Sequence, residues 1–181
     1  RIPSSYSPGS HASPVIWLFN EQLQDWANIA DTDRIILIDL QEYNDTSAIV
    51  SKLNETVGLA EAEYNVDMAR YYWAGWSAGG NLTVILGAQN QEFLAGTLAF
   101  PGTGGNLAKN NMLTNAGHKL RMFYACGDQD PHYPWSAVEA EAAYWASLGY
   151  TTKFEKVLGA SHYLSETTHG IRAKGWAWIR D

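Results

Sequence analysis

Six short runs of apolar, β-branched and aromatic residues recur along the chain, separated by more polar stretches. Runs of this length and composition predict β-strands. They lie at residues 15–19, 34–40, 70–75, 95–100, 119–125 and 151–157. Between them are longer stretches whose apolar spacing predicts amphipathic helices. These lie at residues 23–30, 46–60, 79–88 and 135–148, with a final one near residues 167–179.

The alternation of strand and helix predicts an α/β fold. Parallel strands need long crossover connections, so we expect a mostly parallel sheet of about six strands with helices on both faces. One connection departs from the pattern, because residues 101–117 contain Gly102, Gly104, Gly105 and four asparagines without clear periodicity. Long irregular loops are uncommon unless functional, and we expect this one to form a wall of a substrate cleft.

The length of the chain, 181 residues, predicts a single domain. Residues 1–14 form an irregular lead-in, and no insertion is long enough to build a lid domain. The chain begins at Arg1 without a methionine, which suggests a processed form and a missing upstream segment. The single cysteine, Cys126, does not identify a redox compartment. Localisation stays open, with a lean towards a secreted or periplasmic protein.

Composition and charge narrow the class of partner. The chain has 46% hydrophobic residues and 17% charged residues, enough apolar material for a buried core. Its formal net charge of -7 argues against a nucleic acid or an anionic membrane as partner. The apolar runs are also too short to span a membrane. A neutral or weakly charged small substrate suits this balance better, and the oligomeric state stays open.

A nucleophile motif lies at the end of the third predicted strand, where Gly75 and Gly79 flank Ser77 in a G-x-S-x-G pattern. In a strand-to-helix turn of this kind, side chains two positions before and after the serine would collide with neighbouring backbone. An apolar run precedes the motif and a helix-like run follows it, as this turn requires. We therefore predict that Ser77 is a nucleophile and that the Ala78 amide donates to an oxyanion.

A serine nucleophile needs a base and an acid, and both are expected later in the chain. After the fifth strand, a turn carries Asp128 and Asp130, and we favour Asp130 because its spacing carries the carboxylate clear of the strand. After the sixth strand, a turn of small residues ends in His162, the predicted base. Near these turns, Trp76, Trp135 and His132 are candidate substrate-binding residues, although packing at the rim would also explain the two tryptophans.

These segments resemble the α/β-hydrolase superfamily, and within it the polyhydroxybutyrate-depolymerase-like, feruloyl and acetylxylan esterases. The resemblance implies hydrolysis of a carboxylic ester through an acyl-serine intermediate, without a metal or cofactor. Such esterases carry His-Gly where the first strand ends, whereas this chain has Asn20-Glu21, which would make the Gln22 amide or a neighbour the second oxyanion donor.

Several functional interpretations follow from this pattern. The preferred substrates are short-chain esters or acyl groups linked to polysaccharides, because no lid or interfacial flap is expected. A catalytically impaired binding module is one alternative, since the second oxyanion donor departs from the family pattern. A peptidase or thioesterase that uses the same three side chains is another, because all of these reactions pass through an acyl-enzyme.

Overall fold

One parallel sheet of six strands organises the structure. The structure is a computed structural model that describes residues 1–9, 11–40, 46–114 and 117–180. The strands are β1 (Ser13–Phe19), β2 (Ile36–Leu40), β3 (Val66–Gly75), β4 (Gly96–Ala99), β5 (Arg121–Gly127) and β6 (Thr151–Val157). Their spatial order is β2-β1-β3-β4-β5-β6, and every neighbouring pair is parallel. The predicted α/β class and the six strands are confirmed.

Helices connect these strands and cover both faces of the sheet. They are α1 (Leu23–Asp33), α2 (Thr46–Glu63), α3 (Ala78–Gln89), α4 (Gly105–Asn111), α5 (Trp135–Ser147), α6 (Glu166–His169) and α7 (Ile171–Ile179). In the described ranges, no helix has the length and apolar character needed to cross a membrane. Nor does an inserted lid domain interrupt the order of strands and helices there.

In two segments the kind or number of elements differs from the sequence prediction. The connection at residues 101–117 was expected to be irregular, but α4 lies within it, held by tertiary contacts that its glycines and asparagines do not reveal. Asn115 and Ala116 of this connection lie outside the described residues. The single helix predicted near residues 167–179 is two helices, because Gly170 has a left-handed φ of 59° and ends α6.

Two apolar layers form the core, one on each face of the sheet. Alternate residues of β1 supply both layers, with Trp17 and Phe19 on one face and Ile16 and Leu18 on the other. Helices α2, α3, α4 and α5 bury side chains in the first layer, whereas α1 and α7 bury theirs in the second. This alternation is what a sheet covered on both faces requires.

The order of the strands predicts a ligand-binding site at the carboxyl ends of β1 and β3. The connection after β1 leads outward to β2, while β3 begins the run in the other direction, so the chain changes direction between them. Phe19 pairs in register with Gly75, so these two strands end side by side. Open α/β sheets bind ligands at such a point, where the loops diverge.

Candidate active site

Ser77 lies at the sharp turn between β3 and α3. Its backbone has φ 57° and ψ -119°, which is a costly conformation for a residue other than glycine. The Ser77 amide donates to the Pro101 carbonyl at 3.0 Å, and the Asn81 amide donates to the Ser77 carbonyl at 3.0 Å. The turn is therefore held by hydrogen bonds both to the loop after β4 and to its own helix.

Gly75 and Gly79 allow neighbouring backbone to approach this turn closely. A Cβ on Gly75 would overlap the Gly79 carbonyl oxygen, and a Cβ on Gly79 would overlap the Phe19 carbonyl oxygen. The collision predicted from the glycine spacing is thus present on both sides of Ser77. A larger residue at either position would have to move backbone rather than a flexible side chain.

The structure brings Ser77, His162 and Asp130 into one hydrogen-bonded line. His162 Nε2 lies 2.9 Å from Ser77 Oγ, and Nδ1 lies 2.9 Å from Asp130 Oδ2. With the imidazole proton on Nδ1, His162 donates to Asp130 and accepts the proton of the Ser77 hydroxyl. The Asp130 side chain is fully buried while that of His162 is 18% exposed. This geometry can pass a proton from the hydroxyl to the imidazole.

Asp128 and Asp130, which compete for the acid position in the sequence, have different partners. Asp130 Oδ1 accepts the amides of His132 at 2.8 Å and Tyr133 at 3.0 Å, while its Oδ2 faces His162. Asp128 Oδ1 instead accepts the Gly159 amide at 2.7 Å. Asp128 therefore ties the turn after β5 to the turn after β6, and Asp130 contacts the imidazole.

Hydrogen bonds keep Asp130 in its ionised form. Burial acts to raise its pKa, but the bonds from His162 and from the Tyr133 and His132 amides outweigh burial and leave the pKa below its ordinary value of 3.8. Asp130 is therefore a carboxylate at neutral pH. A negative charge in this place stabilises the positive charge that His162 acquires when it accepts a proton.

Three aromatic rings surround His162. Trp76 lies 5.1 Å from it and donates through Nε1 to the His162 carbonyl at 3.0 Å. The His132 ring meets it edge-on at 4.8 Å, and the Tyr133 ring lies nearly parallel to it at 5.7 Å. These contacts restrict the orientation of the imidazole. Trp76 and His132 thus lie beside the predicted base, and their contact with substrate stays a prediction.

Tyr133 and Asn81 are two residues near Ser77 that were not identified from the sequence. Burial raises the pKa of Tyr133, and hydrogen bonding with the Asn81 and Ser77 side chains opposes that rise. Asn81 Oδ1 accepts the Thr103 amide at 2.8 Å. A signal was available for Asn81, because a residue four positions after Ser77 shares its face of the helix.

Trp135, another predicted substrate-binding residue, begins α5 and is half-buried. The Lys156 ammonium lies 3.8 Å from the centre of its ring, a cation–π contact between α5 and β6. This contact explains the position of the ring through packing, and a role for Trp135 in binding substrate stays a prediction.

The two predicted oxyanion donors differ in availability. Among the residues that the structure describes, the Ala78 amide at the start of α3 has no hydrogen-bond acceptor. The Gln22 amide, in contrast, donates to the Glu21 carboxylate at 2.9 Å. An N–H that is already engaged is not free for an oxyanion, so the structure does not favour Gln22 as the second donor.

Its neighbour Glu21 is the better candidate for that donor. Asn20 has a left-handed φ of 52°, and its side-chain amide donates to the Trp76 carbonyl at 3.2 Å. These features bring the peptide between Asn20 and Glu21 against the turn that carries Ser77. The Glu21 amide has no acceptor within the described ranges. Asn20 adopts the left-handed conformation that glycine usually supplies, and asparagine tolerates it better than most residues.

Similarity to known proteins identifies the family of the chain. The sequence profile of the phospholipase/carboxylesterase family matches residues 6–171. No curated protein gives a significant sequence match. A crystal structure of a phospholipase/carboxylesterase from Dyadobacter fermentans is similar, with a TM-score of 0.67 and 17% identity over 96% of this chain and 91% of that one.

Two further solved structures have the same fold. Esterase Est2 of Thermogutta terrifontis with bound butyrate has a TM-score of 0.70 and 14% identity, over 99% of this chain and 87% of that one. A variant of SOBER1 from Arabidopsis thaliana has a TM-score of 0.67 and 16% identity, over 93% of this chain and 98% of that one. At these identities the likeness concerns the fold, while the profile match covers most of the chain. The chain belongs to the phospholipase/carboxylesterase family of ester hydrolases, within the α/β-hydrolase superfamily.

Proposed function

We propose that the protein is a serine carboxylesterase that acts through an acyl-serine intermediate on short-chain or polysaccharide-linked acyl esters. One observation carries this proposal: the Ser77 hydroxyl, on a strained turn, is hydrogen-bonded to His162, which is in turn hydrogen-bonded to the buried Asp130 carboxylate. In this proposal Ser77 is the nucleophile, His162 the base and Asp130 the acid that orients it.

The first half of the reaction transfers the acyl group to Ser77. The Ser77 oxygen attacks the ester carbonyl carbon while its proton passes to His162 Nε2. The tetrahedral intermediate then collapses, the bond to the alcohol oxygen breaks, and His162 gives its proton to the departing alkoxide. Asp130, which accepts from Nδ1, stabilises the transient imidazolium.

The second half returns the enzyme to its starting state. A water molecule attacks the acyl carbon and gives a proton to His162 Nε2, and collapse of the second intermediate breaks the bond to Ser77 Oγ. The proton on His162 returns to Ser77, and the carboxylic acid leaves. In both halves the amides of Ala78 and Glu21 would donate to the carbonyl oxygen as it gains negative charge.

A structural neighbour supports short acyl groups as substrates, and the surface around Ser77 supports a sugar or aromatic alcohol. Est2 of Thermogutta terrifontis, which shares the fold, was crystallised with butyrate, a four-carbon acid. Around the nucleophile, the half-buried Trp76 and the exposed side chains of His132 and Tyr163 provide an open aromatic rim. Such a rim can stack on the ring of a sugar or an aromatic alcohol, which is compatible with an acyl group carried by a polysaccharide.

Hydrolysis of p-nitrophenyl acetate and butyrate tests the proposal directly. We expect turnover that Ser77→Ala abolishes, while Ser51→Ala, which removes an exposed hydroxyl on α2, leaves the rate unchanged. A serine-directed phosphonate probe should label Ser77, as peptide mapping would show. Absence of Ser77-dependent turnover, with a folded protein, would favour the binding-module alternative.

Side-by-side assays separate the enzyme alternatives. A short acyl thioester and a peptide with the same acyl group pass through the same acyl-serine, so their rates relative to the ester define the class of substrate. We expect kcat/KM to be highest for the ester. A peptide or thioester preference would replace carboxylesterase by the corresponding activity without changing the roles of Ser77, His162 and Asp130.

A further inference from the structure

A buried arginine connects two loops that the proposed reaction uses. Arg172 is the second residue of α7 and is fully buried. Its guanidinium binds the Glu21 carboxylate in a bidentate manner, with Nη2 2.9 Å from both carboxylate oxygens and Nε 3.2 Å from Oε2. Its Nη1 donates to the Leu164 carbonyl. One planar group therefore bonds both the loop after β1 and the loop after β6.

Each of these loops carries a group proposed for catalysis. Glu21 itself supplies the proposed second oxyanion amide, and its carboxylate also accepts the Gln22 amide at 2.9 Å. Leu164 lies two residues after His162 and is fully buried. The Arg172 side chain thus contacts the loop that carries the proposed oxyanion amide and the loop that carries His162, through Glu21 and Leu164.

Stability alone does not account for a buried ion pair at this place. Removing two charges from water is costly, and apolar residues of similar volume often stabilise a protein as well or better. What a guanidinium supplies is direction, because its donors lie in one rigid plane and hold two acceptors in a defined relation. Here the two acceptors belong to segments 143 residues apart in sequence, from Glu21 to Leu164.

We propose that Arg172 is a positioning residue, whose guanidinium fixes the distance between the oxyanion donor at Glu21 and the imidazole of His162. This inference rests on the proposed esterase function. Misplacement of a catalytic group by about 1 Å can cost about a hundredfold in rate, so the loss of this bridge should lower turnover more than substrate binding. Asp25, whose carboxylate lies 3.4 Å from Nη1, extends the same network to α1.

The informative variant removes both charges together. Arg172→Met combined with Glu21→Leu keeps an apolar volume and removes both members of the bidentate pair. Asp25 loses its contact with Nη1 but keeps the hydrogen bond from the Tyr163 hydroxyl, so we expect a cooperatively folded protein. For p-nitrophenyl butyrate we expect kcat to fall by about tenfold or more, with KM within about twofold. The affinity for butylboronic acid, which forms a tetrahedral adduct with the serine, should fall together with kcat/KM. Arg172→Lys, which keeps the charge but not the planar fork, should give an intermediate kcat.

A control at the carboxyl end of α7 distinguishes a positioning role of Arg172 from the general effect of losing an ion pair. Arg180→Met removes the contact of Arg180 with Asp33 at the other end of α7 and should leave kcat and boronate affinity unchanged. A folded double variant with wild-type kcat and boronate affinity would overturn the inference. If the double variant does not fold, Glu21→Gln provides a second test. Wild-type kinetics in that variant would also overturn the inference. Lack of Ser77-dependent turnover in the wild type would instead refute the proposed function.

Discussion

Asp130 illustrates how much a single residue depends on its hydrogen bonds. Its carboxylate accepts two backbone amides on one oxygen and the imidazole on the other. The amides fix the carboxylate plane, so His162 meets an oxygen that cannot rotate away. Asp128, two residues earlier, lacks this arrangement and serves the neighbouring turn. Spacing favoured Asp130 in the sequence, but only the contacts explain why it, and not Asp128, faces His162.

Replacing Asp130 by asparagine is expected to lower kcat by about 10³- to 10⁴-fold, because the amide would favour the wrong tautomer of the histidine. The substitution also has a pH signature. The pKa of Asp130 lies below its ordinary value of 3.8 in the folded protein, so its ionised form contributes stability above that value. This contribution is lost as the pH falls through the lower, folded-state pKa.

Urea unfolding of the wild type and Asp130→Asn at several pH values tests the sign of this effect. The difference in free energy of unfolding should be largest near neutral pH and should shrink as the pH falls below about 4. A difference that stays constant down to pH 2.5, or that grows in acid, would contradict the assignment of a lowered pKa to Asp130.

At the scale of elements, the turn between β3 and α3 depends on glycine at two positions. Gly79 faces the Phe19 carbonyl so closely that a Cβ has no room. We expect Gly79→Ala to force α3 away from β1 and to lower the free energy of unfolding by about 3 kcal/mol or more. It should also abolish esterase turnover, since the movement displaces Ser77 from His162. Thermal unfolding and the p-nitrophenyl butyrate assay measure the two effects.

Gly58 provides the matched control for this substitution. It lies within α2, and a Cβ added there meets no atom within 4 Å. Gly58→Ala should therefore stabilise the protein by about 0.5 to 1 kcal/mol, because alanine has the higher helix propensity. It should leave kcat unchanged. Equal effects of the two substitutions on stability would show that the close packing at Gly79 is not what requires glycine.

Elements were predictable from the sequence where the core imposes a continuous apolar pattern. β1 and β5 are buried along nearly their whole length, and both were predicted. β3 begins at Val66, four residues before its predicted start. Its first half was missed because these residues are only partly buried or exposed and lack a continuous apolar pattern. Helix α4 was missed for a similar reason, since the buried Glu141 of α5 accepts the amide of Gly104 just before it. No local pattern in residues 101–117 indicates that partner.

At the scale of the whole molecule, topology explains why the three proposed catalytic residues were predictable and their supports were not. The carboxyl ends of parallel strands lie at one edge of the sheet. The order of Ser77, Asp130 and His162 along the chain therefore predicts that these residues lie close together. The pairing of Glu21 with Arg172 spans 151 residues and follows no spacing rule. The same long-range pairing holds the Glu21 carboxylate that accepts the Gln22 amide, so the sequence does not reveal that this predicted donor is engaged.

Helix α7 combines this support with a second role, covering one face of the sheet. Trp176 is 3% exposed and packs edge-on against Tyr72 of β3 with ring centres 5.2 Å apart. A Cβ on Gly175 would lie 2.9 Å from Leu98, so the helix lies very close to the sheet. Without this helix, the apolar layer that includes Leu98 and Tyr72 would face water.

These two roles of α7 predict different consequences for substitutions at Arg172 and at Trp176, four residues later. Trp176→Ala leaves a cavity in the second layer and should lower the free energy of unfolding by about 3 to 5 kcal/mol in urea. Trp178→Ala, at a half-buried ring beside Arg121, should cost less. The hydrogen bond of Trp176 is to Asp33 and its ring contact is with Tyr72, both outside the loops that carry Glu21 and His162, so kcat per folded molecule should be unchanged. A kcat loss in Trp176→Ala as large as that in the Arg172 double variant would mean that general packing of α7, rather than the guanidinium bridge, positions the loops.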